Sequence, residues 1–191
     1  MDKGKFKTCR RCDEPGDAHA LTFTCFKGQP FLAKDRSRQW MVDSIERARE
    51  KHQFDLWAYV IMLEHVHLII RPREHHYSIS SILTSLKSSV SKRALTYVEK
   101  FAPAFLSRME DLQPNGKITH RFWQRGGGYD RNLTESRTIL STIDYVHANP
   151  VRRSLVSRPI DWEWSSAVET LEPGAGKIRL DLESLQRSLS E

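Results

Sequence analysis

The segment that most limits the fold is Leu63-Glu64-His65-Val66-His67-Leu68-Ile69-Ile70. Successive side chains of a strand point to opposite sides, so Val66, Leu68 and Ile70 form one apolar set while His65 and His67 project together on the other. The apolar set requires a core. The two imidazoles are a bidentate grip for a divalent metal. A single histidine in a buried strand is more often structural; for the pair, the ligand and structural readings stand level.

The surrounding chain supplies the rest of a sheet. Residues 19–26 alternate well enough for a first strand, and Asp35 caps a helix over 35–52 with Met41, Ile45 and Ala48 as its inner stripe. Residues 54–62, rich in aromatic and β-branched side chains, predict a second strand, joined to the histidine strand by a tight turn at Leu63 and Glu64. A second helix over 78–100 follows from Ile79, Ile82, Leu86, Val90, Ala94 and Tyr97, spaced by three or four. Residues 101–119, with Pro103, Pro114, Asn115 and Gly116, predict a connection. Residues 120–132 predict a strand, a turn and a return strand. There Gly126, Gly127 and Gly128 relieve turn strain or let backbone approach a ligand, the turn being favoured. A third helix begins at Thr134, capped by its own hydroxyl, carries Ile139, Leu140, Ile143 and Tyr145, and ends near Pro150.

The order β-α-β-β-α-β predicts an α+β, ferredoxin-like sandwich with two helices on one face of an antiparallel sheet, and the histidines on the other with the Tyr145 helix near them. Its 191 residues suffice for one substantial core. Residues 1–17 are expected as a polar N-terminal segment, 18–170 as the folded domain and 171–191 as a peripheral tail. The longest uncharged apolar run, 56–63, is far shorter than the roughly 20 residues of a membrane helix. No apolar segment follows the basic N-terminus, so no secretory signal is visible.

Thirty Lys and Arg against 24 Asp and Glu leave a net charge of +6. That balance favours a polyanionic partner. Arg121, Arg125, Arg131, Arg152 and Arg153 lie among Phe122, Trp123, Tyr129 and Tyr145. Arginine beside exposed aromatics suits phosphates and unstacked bases, so these arginines and Trp123 are candidate DNA contacts; a solvated surface over core aromatics is the competing reading. Cys9, Cys12 and Cys25 indicate a reducing compartment. Cys9-Arg10-Arg11-Cys12 has the spacing of half a zinc site, but no matching second half follows, which favours free thiols.

Tyr145 is the best remaining chemical group. Asn149 lies four residues on, so a helix puts both on one face, and Asn149 offers an oxygen ligand beside the phenol. The following proline disfavours helical geometry at Asn149. His147 falls roughly 200° around the helix and is no co-ligand. A phenol has an ordinary pKa near 10 and needs activation by a metal or basic groups before it attacks a phosphate. A core or interface aromatic is the alternative for Tyr145.

Glu64-His65-Val66-His67-Leu68-Ile69, Phe122-Trp123-Gln124, Asp144-Tyr145 and Asn149-Pro150-Val151 resemble the REP-associated tyrosine transposases. These are HUH single-strand transposases, named for two histidines flanking a hydrophobic residue. The resemblance spans 19–166, with Trp162 and Trp164-Ser165-Ser166 matching the family's closing element. It implies Mg²⁺ or Mn²⁺ on His65 and His67, Asn149 as third ligand and Tyr145 as nucleophile. It also implies cleavage of single-stranded DNA beside hairpins, with the 5′-phosphate kept on tyrosine and a 3′-hydroxyl released. A cytoplasmic, nucleoid-associated protein is expected, with a monomer slightly favoured over a dimer. The chain departs from the family in its cysteine-bearing N-terminus and its long 101–119 connection. Two other readings remain: a palindrome-binding protein with vestigial nuclease chemistry, and a zinc hydrolase built on His65 and His67.

Overall fold

The computed structural model describes residues 13–190, so Cys9 and Cys12 lie outside the described residues. Four strands form the main sheet: β1 (Ala18–Thr24), β2 (Phe54–Ile61), β3 (His65–Pro72) and a later strand at Tyr129–Leu133. Helix α1 (Asp35–His52) links β1 to β2, and α2 (Ile79–Phe101) follows β3. Between α2 and the last sheet strand stands a small antiparallel hairpin, β4 (Glu110–Leu112) and β5 (Ile118–His120), which makes Tyr129–Leu133 strand β6. The sheet order is β2-β3-β1-β6, every neighbour antiparallel, with the two crossovers carried by α1 and α2. This is the ferredoxin-like arrangement that the element order predicts.

Both faces of the sheet are covered. Leu21, Phe23, Leu56, Tyr59, Val66, Leu68 and Ile70 pack against Met41, Ile45, Ile82, Leu86 and Val90 of α1 and α2. On the other side Trp57, Ala58, Val60, Met62 and Ile69 meet Ile139, Ile143 and Val146 of α3 (Ser136–Arg152). A bulge between Leu56 and Ala58 turns the two consecutive residues Trp57 and Ala58 to this second side. Strand β2 is therefore buried at every position. Each fully buried large apolar side chain contributes on the order of 1.5–3 kcal/mol. The histidine face is not an open sheet surface, because α3 lies across part of it.

The local differences from expectation have identifiable causes. Asp35 is the first residue of α1 and pairs with Arg38, while Lys34 holds the cap position without a side-chain bond. Glu135, not Thr134, precedes α3, again without a side-chain cap. Ser78 does cap α2, accepting from the Ser81 amide. The outgoing strand of 120–132 is reduced to one bridge between Cys25 and Trp123, since β6 pairs with β1 and leaves that segment no second partner. Gly128 has φ +81°, and a Cβ there would stand 2.1 Å from the Thr22 carbonyl oxygen. The glycine thus serves a close approach to protein backbone, in addition to the turn.

The segment from 171 onward is not peripheral. Ile178 and Leu180 enter the first core, and helix α5 (Leu182–Ser190), preceded by the short α4 (Ala167–Leu171), packs Leu185 into the second. Asp181 accepts from the Leu56 amide at 2.8 Å and donates its own to the Leu56 carbonyl at 3.0 Å, and the Trp57 indole donates to Ser184 at 2.8 Å. Farther along β2, the Ile61 amide donates to the Trp164 carbonyl and the Ser166 amide to the Tyr59 carbonyl, both at 2.9 Å. These segments cover an edge that would otherwise expose unpaired backbone groups.

Candidate functional site

The site is built where β3 begins, beside the C-terminal half of α3. His65 and His67 stand with ring centroids 4.8 Å apart and planes nearly perpendicular. Each has its Nδ1 occupied. His65 Nδ1 donates to Glu64 Oε1 at 3.1 Å, and His67 Nδ1 lies 2.7 Å from the hydroxyl of Thr22, its register partner on β1. These bonds orient the rings and leave both Nε2 atoms for a ligand, the usual outer-shell arrangement around metal-binding histidine. Arg153 donates to Glu64 at 2.6 Å and so fixes the carboxylate that orients His65.

The Tyr145 ring lies 5.8 Å from that of His67, edge to face, and Tyr145 remains 46% exposed. The Arg152 guanidinium sits over the Tyr145 ring, 4.9 Å from its centroid. Such a cation is attracted to the electron-rich face of the ring. The helix does not end before Pro150; it runs through to Arg152. Proline leaves the Val146 carbonyl without its usual donor. The Asn149 side-chain amide fills in, donating to the Tyr145 carbonyl at 2.8 Å and reaching that of Val146 at 3.4 Å. The Asn149 carboxamide faces both imidazoles, close enough to oppose in small part the lowering of their pKa values. Asn149 therefore keeps helical placement despite the proline.

Burial sets the protonation of the pair. It lowers the His65 pKa below its ordinary value, against an opposing pull from the Glu64 carboxylate. Burial, and secondarily the His65 neighbour, lower His67 to about 4. Both rings are neutral at pH 7, the form in which imidazole offers a lone pair. His147 faces away, bonded through Nε2 to Ser166 at 2.8 Å, and burial lowers it to about 4. A histidine held below its unfolded pKa near 6.5 binds fewer protons folded than unfolded, so stability is full above about 6.5 and falls as pH drops toward 4. His67 and His147 are each expected to contribute on the order of 2–3 kcal/mol that disappears across this window. Melting temperature followed from pH 7 to 4 checks this; a flat profile would contradict it, and His147→Gln should flatten it in part.

The structure brings Tyr145, His65, His67, Asn149, Arg152 and Arg153 together. It places the other sequence candidates elsewhere. Trp123 is a correction: it is 5% exposed, packs edge to face on Phe23 and donates its indole N–H to the Lys87 carbonyl, so it is a core residue and not a stacking surface. Arg121 and Arg125 converge on Asp111 at the β4–β5 hairpin. Arg131 is exposed on β6. Cys25 is buried, and burial pushes its thiol pKa up, so it is neither nucleophile nor ligand. Thr22 escaped sequence reasoning because only strand register brings it beside His67. Glu64 had a signal, its position directly before His65.

The family profile described as Transposase IS200 like matches residues 18–149, more than half of the chain and including both histidines and Tyr145. The chain belongs to this family. A Haemophilus influenzae protein provisionally described as a REP-associated tyrosine transposase is 22% identical over 142 residues, covering 71% of this chain and 75% of the relative. Among solved structures, a REP-associated tyrosine transposase bound to a REP hairpin superposes with a TM-score of 0.64 at 18% identity, covering 87% of this chain and 86% of that one. At that identity the likeness establishes the shared IS200-like fold. No helix of the described residues is long and apolar enough to cross a membrane.

Proposed function

We propose that this chain is a metal-dependent single-stranded DNA endonuclease and strand transferase. It acts beside DNA hairpins through a phosphotyrosine intermediate, in the cytoplasm and on the nucleoid. The observation that carries the reading is the approach of an exposed tyrosine ring to a neutral, pre-oriented histidine pair, 5.8 Å from His67.

The donor set fits a divalent ion. His65, His67 and the Asn149 carboxamide oxygen would give a mixed nitrogen and oxygen set of three. No group of three His, Cys, Asp or Glu that could hold a metal occurs among the described residues. A hard ion such as Mg²⁺ or Mn²⁺, when bound, supplies Lewis-acid polarisation of the scissile phosphate. His65 and His67 would hold that ion, Glu64 and Thr22 keeping their rings in place. The Tyr145 phenol oxygen loses its proton to solvent and attacks phosphorus; the P–O bond to tyrosine forms as the P–O3′ bond breaks, and the departing 3′ oxygen takes a proton from solvent. The 5′-phosphate stays on Tyr145 and the 3′ end leaves as a hydroxyl. Arg152 stacks over the ring of the attacking tyrosine. Because the diester energy is kept in the covalent link, a 3′-hydroxyl can later attack phosphorus and rejoin a strand.

A labelled hairpin-containing single strand incubated with the protein and Mn²⁺ is expected to yield a covalent protein–DNA band, absent in EDTA. Tight hairpin binding without a band in any divalent ion would favour the binding-protein reading instead.

A further inference from the structure

Strand register extends the histidine row to a residue outside the proposed catalytic machinery. His67 pairs with Thr22, and Thr22 pairs onward with Tyr129 of β6. Directly opposed residues project to the same side of a sheet, so His67, Thr22 and Tyr129 form one row across the histidine face. Ile69, Ala20 and Arg131 form the next. With strands about 4.8 Å apart, the Tyr129 backbone stands roughly 10 Å from that of His67. Helix α3 covers Ala18, Ile69 and Leu133 but leaves Tyr129 55% exposed at the sheet edge. The Arg131 guanidinium is exposed beside it and makes no ion pair or side-chain hydrogen bond among the described residues. Gly128 locks the platform in place: its φ of +81° and its contact with the Thr22 carbonyl bring the chain into β6 hard against β1.

We propose that Tyr129 is the stacking platform for an unpaired base next to the scissile phosphate, with Arg131 holding a phosphate of the same strand. This rests on the strand-cleaving reading above. The occupant is single-stranded DNA, because a lone ring on a sheet edge meets a base face only where that base is unstacked, and an exposed aromatic beside a free arginine is the pairing that binds such strands. Continuity with the histidine row sets which nucleotide it takes: one adjoining the reacting phosphate. Tyr129 is a positioning residue and forms no bond to the reacting atoms.

The test uses the full chain carrying Tyr145→Phe, so the strand stays intact, and a hairpin oligonucleotide with single-stranded flanks bearing 2-aminopurine at successive positions. One flank position is expected to be quenched on binding. Tyr129→Ala should restore its fluorescence and weaken binding about tenfold, whereas Tyr129→Phe, which keeps the ring, should retain both signals. Arg131→Gln should reduce the slope of log affinity against log salt by about 0.7. Unchanged quenching and affinity in Tyr129→Ala would overturn the platform, as would an equal loss in Tyr129→Phe. The two proposals fail separately. A wild-type chain that forms no adduct while Tyr129-dependent quenching persists overturns the nuclease alone; an adduct with quenching indifferent to Tyr129 overturns the platform alone.

Discussion

Replacing Tyr145 by phenylalanine is expected to abolish the covalent adduct and to lower strand cleavage by about a thousandfold or more, with hairpin affinity altered by less than about twofold. The substitution removes one oxygen and leaves the ring. The edge contact with His67 and the Arg152 cation over the ring both survive, so neither fold nor local packing gives a reason for loss. Tyr145 is nearly half exposed and its hydroxyl has no buried partner among the described residues, so stability should hardly change. Cleavage that persists in this variant would mean that another group attacks, and gel separation of labelled product from adduct decides the point.

His65→Ala and His67→Ala are expected to be nearly as severe. Loss of an outer-shell partner of a metal-bound histidine typically costs about 10–100-fold, and loss of the histidine itself should exceed that. Each single variant should therefore fall by more than about a hundredfold in Mn²⁺-dependent cleavage. The double variant should be little worse than the weaker single, because residues that act as one unit are not additive. Glu64→Gln, which keeps the shape but not the charge that orients His65, should fall in the 10–100-fold range. A double variant whose loss is the product of the single losses would show that the two rings act independently.

The parts of this molecule that were legible in the sequence are those with a strong period. Alternation through Val66, Leu68 and Ile70 located β3 and placed both histidines on one face, and the i, i+3 and i+4 spacing of α2 located that helix to within a residue. The four-residue offset of Tyr145 and Asn149 held although Pro150 follows, because the Asn149 side chain itself supplies the donor that the proline withholds. What the sequence concealed depends on contacts between distant segments. Thr22 supports His67 only through the pairing of β1 with β3. Trp123 sits in a run of arginines that looks like a surface, yet its ring is drawn inward by Phe23 and its indole by the Lys87 carbonyl. The 171–191 segment carries Pro173, Gly174 and Gly176, which read as loop signals. Its contribution comes from Ile178, Leu180 and Leu185 reaching a β2 edge that no local pattern reveals. Tertiary pairing, not propensity, decided these places.

One phenol, held beside a histidine pair, is expected to become joined to the DNA. The adduct formed with a hairpin-containing strand in Mn²⁺ should be digested with protease and nuclease, and the nucleotide-bearing peptide sequenced by mass spectrometry. A phosphodeoxynucleotide on Tyr145 is the predicted result. The same modification on another tyrosine such as Tyr129 or Tyr97, or cleaved strands with no nucleotide on any peptide, would contradict it.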